Sequence, residues 1–316
     1  MMRRDHRSKV PPAARAAAVL ALASILAALP AAAEEPQLGT LQLVDTRPIG
    51  MGGALRATPG STSGIYLNPA TLAMARVYHL GARYQYTGQE ELHTAGASVV
   101  DSVTSRYIAA GLSLDYRRAD RRRTDFESWD ARLALAGNIG DTFFIGMTGR
   151  YIRVERDLEE ANRGPNGVPA LPASGSQQLD GLTFDAGAAL RIAEVFSLGL
   201  VGYNLSDTGS VYAPIQLAPA AALTLFDMLI VESDVVLDFT RYEELNEEIH
   251  AGTEVFVGGI VPIRAGYSYD VHLDLHSVCA GLGYVDRQFA VDFGFRQEVA
   301  KRGRMVLSFG LRIFLQ

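Results

Sequence analysis

From residue 77 to the end of the chain, apolar and polar side chains alternate in run after run. The last two runs show it best. Across 287–297, Phe289, Val291, Phe293 and Phe295 share one face of an extended chain, while Gln288, Ala290, Asp292, Gly294 and Arg296 share the other. Across 304–315, Leu307, Phe309, Leu311, Ile313 and Leu315 alternate with Val306, Ser308, Gly310, Arg312 and Phe314. Period two marks a strand whose two faces meet different surroundings. Strands of soluble sandwiches usually run about 5–6 residues. These runs reach about 10–12, the length a tilted strand needs to cross a bilayer.

Fourteen such strands are predicted, near 77–87, 90–100, 105–116, 128–139, 142–155, 180–192, 195–204, 217–226, 229–240, 247–257, 260–270, 274–285, 287–298 and 304–315. Links after even-numbered strands are short, as at Gly140-Asp141, Ala193-Glu194, Asp227-Met228, Gly258-Gly259 and Asp286. Several links after odd-numbered strands are long and polar, namely 117–127, 156–179, 205–216 and 241–246. A membrane barrel sorts its connections in this way and a sandwich has no reason to. Tyr84, Tyr86, Tyr116, Tyr151, Tyr267, Tyr269 and Trp129 fall near the expected outer ends of strands, and Phe196, Tyr284 and Phe289 near the inner ends, as two interfacial belts require. Tyr203 stands at belt height in the opposite phase.

Hydrophobic residues make up 48% of the chain, yet no apolar stretch reaches the roughly 20 residues of a transmembrane helix. Only helices and closed barrels satisfy their backbone in lipid. The pattern therefore predicts an all-β fold: a transmembrane antiparallel up-and-down β-barrel of 14 strands over residues 77–316. The even strand number is what a bacterial barrel requires if, as expected here, both termini lie on the periplasmic side.

Residues 1–33 read as a cleaved signal peptide. Arg3, Arg4, Arg7, Lys9 and Arg15 precede the apolar run 16–29, Pro30 breaks it, and Ala31-Ala32-Ala33 offers a cleavage site. The expected location is the outer membrane of a Gram-negative bacterium. Without residues 1–33 the chain carries 24 basic and 34 acidic side chains, a net charge of −10, which argues against nucleic acid as a partner. Cys279 is the only cysteine, so no internal disulfide forms, and it reads as a small buried residue.

Residues 34–76 do not alternate and are expected to fold inside the barrel as an N-terminal plug, or hatch. They contain Gly50-Met51-Gly52-Gly53-Ala54 and, further on, Asn68-Pro69-Ala70. The glycines allow tight turns and close backbone approach. Asn68 suits a helix cap and Pro69 a first helical position. This pairing of a Gly-Met-Gly-Gly-Ala segment with a downstream Asn-Pro-Ala, just after a signal peptide, resembles the FadL-type outer-membrane transport proteins and their PorV-like relatives. The resemblance implies a barrel closed by a hatch that passes hydrophobic molecules such as long-chain fatty acids, with Gly50, Met51, Gly52, Gly53, Asn68, Pro69 and Ala70 in the hatch. No cofactor is expected. The chain is shorter than a typical fatty-acid transporter, and it ends in Leu315-Gln316 where many barrels end in an aromatic. Its Phe309-x-x-x-Ile313-x-Leu315 pattern can still serve as a signal to the barrel-assembly machinery.

In the phase opposite the lipid-facing one lie Arg83, Asp115, Asp130, Arg132, Arg150, Asp185, Arg191, Glu232, Asp234, Asp238, Glu254, Arg264, Asp292, Arg296 and Arg312. Mixed signs argue for mutual pairing in a polar lumen over an ion-selective ring. Arg117, Arg118, Arg121, Arg122 and Arg123 form a basic run in an expected external loop, suited to lipopolysaccharide phosphates. His276 and Ser277 would point to opposite faces of a strand, and His79, His93, His250 and His272 lack metal-ligand spacing, so neither an enzyme nor a metal site is expected. The expected function is passive, plug-gated uptake of small hydrophobic molecules. Its rivals are a PorV-like interaction protein working through the external loops and a general porin with an open lumen.

Overall fold

The computed structural model describes residues 44–58, 60–88, 90–121, 124–156, 178–242, 244–299 and 303–315. The expected signal peptide and the first part of the expected plug, 34–43, lie outside them. Fourteen strands follow in chain order: β1 Tyr78–Thr87, β2 Leu92–Asp101, β3 Ile108–Arg121, β4 Thr124–Ile139, β5 Phe143–Arg156, β6 Leu179–Ile192, β7 Phe196–Tyr203, β8 Gln216–Leu225, β9 Leu229–Asp238, β10 Asn246–Val257, β11 Val261–Asp270, β12 Leu275–Val285, β13 Phe289–Val299 and β14 Met305–Phe314. Each pairs antiparallel with the next. β14 returns to β1, with Phe309 opposite Tyr84, so the sheet closes and leaves no free edge.

The two faces of the wall differ as the alternation requires. On β3 and β4, Leu112, Leu114, Leu133 and Leu135 are exposed, whereas Ser113, Asp115, Asp130 and Arg132 between them are buried. An apolar exterior around a polar interior is what a bilayer selects. Tyr84, Trp129, Tyr151 and Tyr267 stand exposed toward one rim, and Tyr78, Phe143, Tyr284 and Phe289 toward the other. Tyr203 points inward and is buried. One rim carries the short turns, at 140–142, 193–195, 226–228, 258–260 and 286–288, and β1 starts and β14 ends there. At Ala193-Glu194, Phe226-Asp227 and Gly258-Gly259 both central residues have positive φ, the geometry that matches strand twist in a two-residue hairpin. The opposite rim carries the long connections.

One expected loop is mostly strand. β3 runs on to Arg121 and β4 begins at Thr124, with Arg118 opposite Glu127 and Asp120 opposite Asp125. Past the apolar band the outer face turns polar, with Arg118 exposed there, so hydrophobicity stops alternating while the ladder continues. Strand phase turns Arg117 inward. It is buried, donates from Nη2 to Ser128 Oγ at 3.0 Å and lies 5.6 Å from the Phe126 ring centre, which removes it from the lipopolysaccharide candidates. Arg118 faces outward, Arg121 closes the strand, and Arg122 and Arg123 lie outside the described residues.

Candidate functional site

The site begins with the segment that precedes β1. Three short elements build it: helix α1 at Thr46–Gly50, helix α2 at Ser61–Leu67 and a 3-10 turn at Pro69–Met74. Local sequence starts two of them. Thr46 N–H donates to Asp45 Oδ1 at 2.8 Å, and Ala70 N–H donates to Asn68 Oδ1 at 3.2 Å, with Pro69 in first position. Elements this short are not stable alone in water, so the wall must hold them.

The wall does so through glycine. Along the segment, Thr46 meets Gly294 of β13 and Gly310 of β14, and Gly50 meets Gly281 of β12. Met51 and Gly52 meet Gly252 of β10 and Gly266 of β11, and Arg56 meets Gly199 of β7. Ile65 meets Gly111 of β3, Asn68 meets Gly187 of β6, and Ala70 meets Gly146 of β5. All these glycines lie in the inward phase, so the barrel encloses the segment. A Cβ at Gly266 would stand 2.2 Å from Gly52 N, and one at Gly252 would stand 2.4 Å from Met51 O. Backbone fits against backbone here because the wall carries no side chain.

Charge fixes the same seat. Buried Arg56 donates to Asp234 at 2.8 Å, to Tyr203 Oη at 2.9 Å and to Gly53 O at 2.9 Å. Glu232 accepts from Ala57 N–H and from the Thr58 hydroxyl, both at 2.5 Å. Arg47 and Arg264 share Glu254, each at 2.5 Å, and Arg264 and Arg312 share Asp292, each at 2.7 Å. Arg132 and Arg150 share Asp130 at 2.7 and 2.5 Å, and Asp185 accepts from Asn204 N–H at 2.8 Å. Asp115 takes Arg83 at 2.6 Å and the Tyr66 hydroxyl at 2.8 Å. The Tyr66 ring centre is 4.5 and 5.0 Å from the Arg83 and Arg132 guanidinium carbons. Burial pushes the Tyr66 phenol up, so it remains a donor. Asn68 ties the two halves of the segment together and to the wall, donating from Nδ2 to Arg56 O at 2.9 Å and to Ala188 O at 3.2 Å.

Arg296 is the exception. Among the described residues no carboxylate lies within ion-pairing distance of it, although Glu248, which lines the same cavity, feels its charge. Its Nη2 donates to Gly52 O at 3.2 Å, and its Nε has no hydrogen-bond partner. His250 bonds the same carbonyl through Nδ1 at 2.8 Å, which leaves Nε2 without one. Gly52 and Gly53 turn with φ of 73° and 88° and present that carbonyl, and a Cβ at Gly53 would stand 2.8 Å from His250 Nδ1 and 3.0 Å from Arg296 Nη2. Above the turn, toward the long-loop rim, lies a cavity of about 80 Å³ lined by Arg296, His250 and Arg304 and also by Glu248, Asp270 and Glu298, with Glu248 3.8 Å from His250 Nε2 and Glu298 3.3 Å from Arg304. A space of that size admits a carboxylate head or several waters.

The rest of the same rim is apolar inside. β7 ends at Tyr203, the chain turns in at Asn204 (φ 51°), and Val211, Tyr212 and Ala213 pack on Leu92, Phe126, Ile152, Val154 and Leu179. Glu90, two residues before Leu92, accepts from Arg304 at 2.6 Å and so links this cluster to the cavity. The vestibule is thus amphipathic, apolar along β2 to β6 and charged along β10 to β13, where Glu248, Asp270 and Glu298 stand with Arg296. Elsewhere, His276 stacks on Tyr269 at 4.4 Å on the outer face while Ser277 is buried on the inner one, so the two do not pair.

Comparison with solved structures accounts for this architecture. The Ralstonia pickettii toluene transporter TbuX aligns with 87% of this chain and 99% of its own, with a TM-score of 0.67 and 12% identity. The CymD monoaromatic hydrocarbon channel aligns with 86% and 98%, at 0.66 and 13%. A FadL homologue from Pseudomonas aeruginosa aligns with 86% and 98%, at 0.62 and 14%. The fold is that of the FadL-type channels. No protein-family model matches the chain, and no curated protein does. At these identities the FadL-type likeness is one of backbone path.

Proposed function

We propose that the chain lets small hydrophobic molecules cross the outer membrane of a Gram-negative bacterium passively, with the enclosed segment as its gate. The long-loop rim faces outward, and the start of β1 and the end of β14 face the periplasm. The observation that carries this reading is the amphipathic vestibule above the seat, where an apolar cluster adjoins a charged cavity in which Arg296, unlike the other guanidiniums there, makes no ion pair among the described residues. TbuX is a toluene transporter and CymD a monoaromatic hydrocarbon channel. A neutral hydrocarbon gives Arg296 nothing to bind, so the favoured cargo is an acid-headed hydrophobe of the long-chain fatty acid type. Its chain lies on the Phe126 and Ile152 side and its head at Arg296. The charged residues around the seat hold the segment rather than select ions.

The test is uptake of radiolabelled laurate by cells that express the chain and lack the host's own hydrophobe channels. Saturable uptake above the empty-vector level supports the reading. Uptake equal to the vector sinks it, and a co-purified protein partner in that case would make the chain a PorV-like interaction protein.

A further inference from the structure

The short-turn rim holds a second cavity, at the opposite end of the lumen from Arg296. Its volume is about 430 Å³, within the roughly 300–1,000 Å³ of small-molecule sites. Met74, from the end of the 3-10 turn, and Phe144 of β5 line it, and three guanidiniums face it, those of Arg76, Arg106 and Arg191. The one carboxylate on its lining is that of exposed Asp141.

Two of the three cations are already positioned. Arg76 donates to Ser105 O at 3.0 Å and to Val103 O at 2.8 Å. Arg191 donates to Met74 O at 3.3 Å and stands 5.3 Å over the Phe144 ring. Arg106 has no hydrogen bond or ion pair among the described residues. A guanidinium without a partner, beside two held by backbone carbonyls, suits an oxyanion. Met74 and Phe144 give an adaptable apolar surface for the rest of such a ligand. The same 3-10 turn carries Pro69 and Ala70, which rest on Gly187 and Gly146, so the cavity lies directly against one end of the gate.

We infer that this mouth binds amphiphilic monoanions, with the head on Arg106 and Arg191 and the chain along Met74 and Phe144. Its use as a release site rests on the passage proposed above; the binding itself does not.

The test is photo-crosslinking of the full chain in lipid nanodiscs with a twelve-carbon diazirine acid, compared with the diazirine alcohol of equal length, followed by peptide mapping. The acid should label residues 69–76 and 102–109, and excess laurate should compete. Arg106→Gln combined with Arg191→Gln should cut that labelling roughly tenfold, the scale of losing a charge-assisted hydrogen bond. Labelling of 289–299, at the other cavity, should persist, and mobility on an unheated gel reports that the barrel is folded. Equal labelling by the alcohol, unchanged labelling of the double variant, or competition by inorganic phosphate as effective as by laurate would overturn the inference. Laurate uptake by cells without labelling at this mouth would sink the second site alone. Labelling without uptake would sink the passage and leave the site.

Discussion

Gly266→Ala isolates the contact between the wall and the enclosed segment. The new Cβ would stand 2.2 Å from both Gly52 N and Met51 C, more than an ångström inside ordinary contact. β11 is laddered on both sides by β10 and β12, so the wall cannot retreat and the segment must. Overpacking of this kind costs about 1–3 kcal/mol. With tenfold per ~1.4 kcal/mol, the ratio of displaced to seated segment should rise roughly 5- to 150-fold. Displacement also pulls Gly52 O away from His250 and Arg296, so laurate binding at the upper cavity should weaken in parallel. The assay is macroscopic conductance in planar bilayers, with thermal unfolding and unheated-gel mobility as checks on the barrel. Gly149→Ala is the control, since that glycine faces outward and its Cβ would meet nothing within 4 Å. Native-like conductance in Gly266→Ala, or the same rise in Gly149→Ala, would refute the reasoning.

Other residues of the seat and cavity give sharper chemical tests. Arg56→Met leaves Asp234 buried without its cation and should cost about 3–5 kcal/mol in chemical unfolding, while Arg56→Met with Asp234→Leu should recover most of that loss. Asn68→Ala removes the cap on Ala70 and two donated hydrogen bonds, so cleavage within 44–76 by added protease should speed up by the equivalent of about 1–2 kcal/mol. Asn68→Asp keeps the cap, loses both donors, and should not restore protection. Arg296→Gln should weaken laurate binding roughly tenfold by native mass spectrometry and leave dodecanol binding unchanged; equal losses for acid and alcohol would mean the side chain only packs.

The wall was legible in sequence because each face meets one solvent. Phe289, Val291 and Leu311 announce lipid, and Asp292 and Arg312 announce lumen, without knowledge of any neighbour. The upper parts of β3 and β4 were not legible, because above the apolar band the outer face is as polar as the inner. The enclosed segment showed itself in Gly50 to Gly53 and in Asn68-Pro69. Its seat carried a signal that went unread: inward glycines at mid-strand, such as Gly146, Gly187, Gly252 and Gly266, which look like weak strand positions until a backbone is found lying on them. The cavity was out of reach. Gly52, His250 and Arg296 meet only through barrel closure and register, and sequence cannot tell Arg296 from Arg264, because partners on other strands decide which is paired.

The proposed passage requires the enclosed segment to yield when a hydrophobe crosses. Thr46 Oγ1 and Ser308 Oγ are 2.8 Å apart, and Thr62 Oγ1 and Ser98 Oγ are 3.5 Å apart, so cysteines at these four positions in a Cys279→Ala background can pin the segment to β14 and β2. Laurate uptake by cells expressing this variant should fall to the vector level when both disulfides are formed and return on reduction. Equal uptake in the oxidised and reduced forms would contradict the account.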